Sequence, residues 1–352
     1  MEKNDQSFTA VISSDLHYTS NPPASNPIIP LYPYVDILTK RLLETVMEIR
    51  PDAFILCGDQ TGSGKEKDHR DLVHMLWKLK RKGIRIILCP GNHDYDHVSR
   101  SLYHSIYAPL LEYDDKDPES ESCVYHLDQV TVISMDDNQE GTLAAGIHLN
   151  WLKDCLKKES SSGKPMIFLS HRSLLYKDDG RFFYTIEQSE EILSLLRLYN
   201  VPFVLSGHQH RQMIMEENGI HEIISSMPWM GRNLVGVLRI TDSMFGYQAV
   251  PLYFDEHAWE TEIQFRKNIS QSYSFDRDLE SLWNLFFTYE SEGTVYEHKD
   301  LFLQNEKFNI LLDTLKSSPY GDWIRSMVYS DCSAVKSIFL RSSSMGSGSE
   351  NR

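Results

Sequence analysis

No apolar run in this 352-residue chain approaches the ~20 residues needed to cross a bilayer. Met1 to Gln6 is polar and has no apolar core behind it of the kind a secretory signal carries. No membrane association is expected. Cysteine is scarce: Cys57, Cys89, Cys123, Cys155 and Cys332 are odd in number, scattered and without a C-x-x-C pair. That excludes a disulfide framework and a structural zinc site, and it points to a reducing, cytoplasmic location. Cys57 and Cys89 instead close apolar runs, where a free thiol behaves as a small hydrophobe. Basic residues are outnumbered, 35 Lys and Arg against 50 Asp and Glu, for a formal charge of -15. The chain therefore lacks the basic stripe of a sequence-independent duplex-DNA binder, and no long nucleic acid is expected as a partner. Internal repeats are absent too.

What is present is a soluble, globular composition, 41% hydrophobic and 24% charged. The length suits one large domain with an appendage. Phe8 to Ser13, Ala53 to Cys57 and Arg85 to Cys89 have the length and β-branched content of buried strands. Between them, Tyr34 to Arg50 carries an apolar stripe (Ile37, Leu38, Leu42, Val46, Ile49), and Lys65 to Lys82 is a charged amphipathic helix closed by Gly83. This βαβαβ alternation implies a parallel sheet with right-handed crossovers. Cys123 to Leu127 and Val130 to Met135 read as a hairpin, and helices are expected over Ser101 to Leu111, Ile147 to Lys158 and Glu187 to Tyr199. Met166 to Leu169 and Val201 to Leu205 are two more buried strands. Met213 to Met215, Ile220 to Ser225, Leu234 to Ile240 and Gly246 to Tyr253 are expected to be antiparallel strands finishing a second sheet.

The fold class expected is α/β: a four-layer α-β-β-α sandwich of two mixed sheets flanked by helices, with a small C-terminal helical appendage. The domain reading is 1–260 for the sandwich, 262–342 for the helical appendage and 343–352 for a disordered Ser/Gly-rich tail. In the appendage Leu279, Leu282, Trp283, Phe286 and Phe287 form one apolar face, which packs on the large domain or makes a homo-oligomer.

Five strand ends carry residues able to hold a metal. They are Asp15 and His17 in Ser14-Asp15-Leu16-His17, Asp59 in Gly58-Asp59, Asn92 and His93 in Gly91-Asn92-His93-Asp94, His171 after Ser170, and His208 and His210 in Gly207-His208-Gln209-His210. Residues just past the carboxyl ends of parallel strands lie on the sheet edge where α/β proteins place their ligands. A mixed set of imidazole, carboxylate and amide oxygen suits Mn, Fe or Zn rather than Ca.

In that order these motifs resemble the calcineurin-like metallophosphoesterase family, over residues from about 8 to 252. The resemblance implies two divalent metal ions: Asp15, His17 and His210 hold one, Asn92, His171 and His208 hold the other, and Asp59 bridges them. It also implies in-line attack on phosphorus by a metal-bridging hydroxide, with His93 protonating the leaving oxygen and Asp94 orienting the His93 imidazole. Gly58-Asp59-Gln60-Thr61-Gly62 and a second motif ending in Asp94 depart from the protein-phosphatase branch. They are most similar to the bacterial class III cyclic-nucleotide phosphodiesterase-like branch, which implies a phosphodiesterase for a small nucleotide-type substrate. Phe182, Phe183 and Tyr184 are candidates to stack on a base, and Arg172, Arg211 and His97 are candidate substrate contacts. A nuclease or phosphomonoesterase using the same site, and a non-catalytic scaffold on the same fold, are the competing readings. His69, His74, His126 and His257 are read as surface or packing residues.

Overall fold

The computed structural model describes residues 7–24, 31–138, 146–176, 186–229, 234–241 and 244–252, parts of 264–328, and the strand 337–341. The aromatics Phe182, Phe183 and Tyr184, the domain boundary near 260 and the Ser/Gly-rich tail lie outside the described residues.

Three buried strands, β1 (Ser7–Ser13), β2 (Ala53–Cys57) and β3 (Arg85–Cys89), run parallel, as their βαβαβ spacing requires. α1 (Val35–Ile49) and α2 (Glu66–Lys80) make the crossovers. In α1 the expected stripe is buried at Leu38, Leu42 and Val46, but Ile37 is 62% exposed, one residue off the seam. Arg50 ends the helix in the left-handed region, its N–H returning to the Val46 carbonyl, and Pro51 follows. α3 (Arg100–Tyr107) is capped by Ser99, whose hydroxyl oxygen accepts the Leu102 N–H.

The second sheet contains β4 (Asp115–Lys116), β5 (Cys123–His126), β6 (Thr131–Ser134), β7 (Met166–Leu169), β8 (Phe203–Ser206), β9 (Met213–Glu217) and β10 (Ile220–Ile224), in the order β4-β5-β6-β7-β8-β10-β9. The β5–β6 hairpin forms as expected, and β6, β7, β8 and β10 run parallel. α4 (Leu149–Glu159) and α5 (Ser189–Leu198) cover its outer face.

The expectation that four antiparallel strands finish this sheet holds for β9 and β10, which pair antiparallel with each other at its end, and is corrected for the other two. β11 (Leu234–Thr241) and β12 (Met244–Pro251) join the first sheet instead, β11 lying antiparallel to β1 with Val11 opposite Val237. β10 also pairs parallel with β8 rather than antiparallel. The free edge of β1 decides the first point: without β11, an interior strand buried on both faces would be left with unpaired backbone groups.

Side chains alternate accordingly. Ala10, Ile12, Ile55 and Ile87 face Val132, Ile167, Leu169 and Leu205 between the sheets. Val11, Phe54 and Leu88 face α1, α2 and α3, while Ile133, Phe168 and Val204 face α4 and α5. Four layers result, α-β-β-α.

Beyond β12, α6 (Arg277–Glu292), α7 (Lys299–Leu303) and α8 (Glu306–Thr314) bury the expected face of Leu279, Leu282, Trp283, Phe286 and Phe287. They do so against Phe302, Phe308 and Leu311 and against Met213 and Ile224 of β9 and β10, so that face is consumed within the chain. The helical expectation for 262–342 needs one correction: β13 (Ser337–Arg341) returns to the first sheet and pairs antiparallel with β12. Ser337-Ile338-Phe339-Leu340-Arg341 is rich in strand-forming types, and its pairing closes the β12 edge. Among the described residues no helix is long and apolar enough to cross a membrane.

Candidate metal centre

The strand ends meet along one seam between the sheets. Past β1 and β2 the two turns run side by side, the Asp15, His17 and Tyr18 N–H groups donating to the carbonyls of Gly58, Asp59 and Gln60 at 3.0 Å each. The second sheet is tied to the first by the His208 N–H, which donates to Asp15 Oδ2 at 2.9 Å. The His93 N–H donates to Asp59 Oδ1 at 2.8 Å. Each carboxylate thus spends one oxygen on the backbone and turns the other inward.

Asp15, His17, Asp59, His208 and His210 all adopt the left-handed region, with φ between 43° and 65°. Asp and His enter this region more readily than most residues, yet each still stores strain that its surroundings must hold. Five such residues at one seam turn their side chains toward a common point. Glycine makes room: a Cβ at Gly58, which has φ of +90°, would strike the His171 ring, and one at Gly91 would strike Asp59.

The converging atoms are close. His17 Nε2 lies 3.2 Å from His210 Nε2, and His210 Nε2 lies 3.4 Å from Asp15 Oδ1. Across the seam His171 Nε2 is 3.1 Å from His208 Nδ1 and 3.1 Å from Asn92 Oδ1. Asp59 Oδ2 stands between these groups, 3.5 Å from His17 Nε2 and 3.4 Å from His171 Nε2. Three overlapping sets, Asp15–His17–His210, His17–Asp59–His93 and Asp59–His171–His208, have ligand atoms within 4.8 Å of one another and could each hold a metal ion.

Divalent cations fit this donor set on three counts. Asp15 Oδ1 is buried without a hydrogen-bond partner among the described residues, an expensive state for a carboxylate unless a cation completes it. Two pairs of imidazole nitrogens face each other at contact distance, His17 with His210 and His171 with His208. The field also favours positive charge: burial pulls the His171 imidazole down, but Asp59, Asp15 and Asp137 lift it to about 10. Conversely, burial pushes the Asp59 carboxyl up, and His171 and His17 more than reverse this to hold it far below the usual range.

The other expected residues divide. The His93 ring lies 5.2 Å from that of His17, at the mouth of the seam. Asp94 is corrected: it is buried and accepts from the N–H groups of Gly91, Gln60 and Thr61, bracing the backbone of the turn. The residue that receives His93 is Asp96, whose Oδ2 accepts from Nδ1–H at 2.8 Å. The turn at Asn92–Tyr95 is a 3-10 helix. Side chains three apart eclipse in that geometry, whereas adjacent ones diverge.

Arg172, 3% exposed, bonds the Asp137 carboxylate at 2.8 Å through Nη1 and at 2.6 Å through its N–H. His97 donates from Nδ1 to the Ser63 carbonyl at 2.6 Å. Arg211 follows His210, and its Nε and Nη1 are buried without hydrogen-bond partners among the described residues.

Sequence reasoning passed over Asp136, Asp137 and Asn138, although they follow a strand as the other motifs do. Asp136 accepts from Tyr95, Arg100 and Asn138, and the Asn138 amide reaches the Pro90 carbonyl at 3.3 Å, beside the Gly91–Asp94 turn. Trp229 was missed as well: fully buried, it donates from Nε1 to the carbonyl of Leu16, between Asp15 and His17, at 2.7 Å.

A sequence model described as calcineurin-like phosphoesterase matches residues 8–212. A search of curated proteins finds no match. Among solved structures, a dimetal phosphatase from Danio rerio is 13% identical with a TM-score of 0.57, over 71% of this chain and 98% of that one. A purple acid phosphatase from yellow lupin (Lupinus luteus) seeds is also 13% identical, with a TM-score of 0.45 over 70% of this chain and 51% of that one. At that identity the zebrafish protein speaks to fold alone.

Proposed function

Because the chain belongs to the calcineurin-like phosphoesterase family, which its residues 8–212 match, we propose that it hydrolyses phosphodiester bonds of a small, nucleotide-type substrate. The observation that carries this reading is Asp59 Oδ2, poised 3.5 Å from His17 Nε2 and 3.4 Å from His171 Nε2 so that one carboxylate serves two ligand sets. Asp15, His17 and His210 would hold one divalent ion, and Asn92, His171 and His208 the other, with Asp59 shared. Once bound, such ions neutralise charge on the phosphate and acidify water. The ligand types favour Mn or Fe, with Zn as the nearest competitor.

The chain's own part is to orient and to move a proton. Asp96 holds His93 by Nδ1, which leaves Nε2 to hold a proton and deliver it to the leaving oxygen. Burial pulls the His93 imidazole down, but Asp59 and Asp96 outweigh it and leave the net shift upward, so the ring keeps that proton more readily. Two features support a diester over a monoester. Arg172 is committed to Asp137, so of the two arginines that flank the metal-binding motifs Arg211 alone is left to meet phosphate oxygens, fewer than a doubly charged monoester calls for. The motif Gly58-Asp59-Gln60-Thr61 also lacks the arginine that the protein-phosphatase pattern carries.

Turnover of bis-p-nitrophenyl phosphate with Mn present, measured beside a panel of cyclic nucleotides and monoesters, tests the proposal. Diesterase activity that exceeds monoesterase activity is expected. Strong monoesterase activity with none on diesters would overturn it.

A further inference from the structure

Glu222 of β10 is a carboxylate where the fold has no evident need of one. It pairs with Val204 in the sheet, so both side chains lie on the face that packs against α4 and α5, in the same apolar layer as Phe168, Leu174 and Leu175. It is fully buried. Oε2 accepts from the Ser173 hydroxyl at 2.8 Å and from the Leu175 N–H at 2.7 Å. Oε1 accepts from the Ser206 hydroxyl at 2.7 Å, and the Leu174 N–H reaches both oxygens, at 3.0 and 3.2 Å. Filling this place with an apolar side chain would avoid the desolvation of an ion, so packing alone does not account for the charge.

The positions of its partners do. Ser173 lies two residues after His171, and Ser206 two residues before His208. A further bond joins the same segments, Gly207 N–H to the His171 carbonyl at 2.9 Å. We propose that Glu222 is a positioning residue for one half of the metal centre: by clamping the loop after β7 to the end of β8, it sets the approach of His171 to His208. The inference rests on the reading that these two histidines share a cation. Among the described residues its bonds go only to these donors; His210 shares the turn with His208, whose N–H also donates to Asp15, so the influence of Glu222 is greatest on the ion of His171 and His208 and reaches the other only through that turn.

The test is Glu222→Gln in the full chain, titrated with Mn by calorimetry and checked for bound metal by elemental analysis. The glutamine keeps the volume but turns an NH2 toward N–H and O–H donors, forcing the loops apart. Wild type is expected to take two Mn ions per chain. E222Q should lose about 10–100-fold on the second, the usual cost of removing a group that orients metal ligands, and less on the first. Equal affinities for both ions in the two proteins would overturn the inference alone. Fewer than two ions on wild type would overturn the reading of the site and the inference with it. Should E222Q not fold, Ser173→Ala and Ser206→Ala carry the test, since each removes one donor and leaves the carboxylate. A weakening greater at the second ion than at the first supports the inference; a lowered melting temperature with both affinities intact contradicts it.

Discussion

The most quantitative consequence of the structure lies behind the candidate metal centre, at His69 of α2. Its ring is buried between two partners at 2.9 Å, the Tyr107 hydroxyl on Nδ1 and the Asp94 carbonyl on Nε2. A carbonyl only accepts, so Nε2 carries the hydrogen, Nδ1 accepts from Tyr107, and the neutral ring satisfies both sides. Burial pulls the imidazole down to about 4 from its ordinary 6.5, a fall that the Asp94 carbonyl and Asp68 only partly oppose. The folded pKa lies below the unfolded one, so the unfolded chain takes up the proton first as pH falls. Stability from the neutral ring is therefore complete above about pH 6.5 and drains away toward pH 4. At 1.36 kcal/mol per pKa unit the whole effect is about 3 kcal/mol, of which about 2 kcal/mol is lost between pH 7 and pH 5. Urea unfolding of wild type and His69→Gln at both pH values, with EDTA present, isolates it. Glutamine can still donate to the Asp94 carbonyl but does not titrate, so the stability of H69Q should fall less over this interval, by about 2 kcal/mol. Identical declines in the two proteins would refute the reasoning.

Replacing His93 by alanine should cut turnover by about 10²–10⁴-fold, the range for losing a general acid, while Mn uptake in elemental analysis stays at the wild-type level; unchanged turnover would remove its assigned role. Asp96→Asn should lower turnover but move unfolding by less than about 1 kcal/mol, because His93 and Asp96 are each 43% exposed. Gly91→Ala meets no backbone penalty, its φ being -102°, yet its Cβ would push into Asp59. A shift of about 1 Å in that carboxylate predicts roughly a 10²-fold loss in kcat, and wild-type kcat would show that the turn has slack. In the appendage Trp283 is 0% exposed, so Trp283→Ala should destabilise by about 3–5 kcal/mol in urea unfolding. An unaltered curve would contradict the packing described there.

Much of this was legible because the chemistry is local. Each candidate ligand sits two to five residues past a short apolar run, and strand ends can be read from composition alone. The four layers follow from the same runs. Which sheet β11 and β12 join could not be read, because the decisive pairing links Val11 to Val237 and no local pattern records it. The side-chain partners of the turns were hidden for a similar reason. Arg172 looked available until Asp137, 35 residues away, was found beside it. The family resemblance implied Asp94 as the partner of His93, but a 3-10 turn brings the residue three along into register, and that residue is Asp96. Glu222 left no trace at all: one acidic residue in an apolar strand reads as a solvated position until its neighbours are known.

Everything about the site depends on Asp59 touching two cations at once. The direct measurement is anomalous scattering at the manganese edge from a crystal soaked in Mn. The account predicts two peaks per chain, both within bonding distance of Asp59, with Asp15, His17 and His210 around one and Asn92, His171 and His208 around the other. A single peak, or peaks that leave Asp59 untouched, would contradict it.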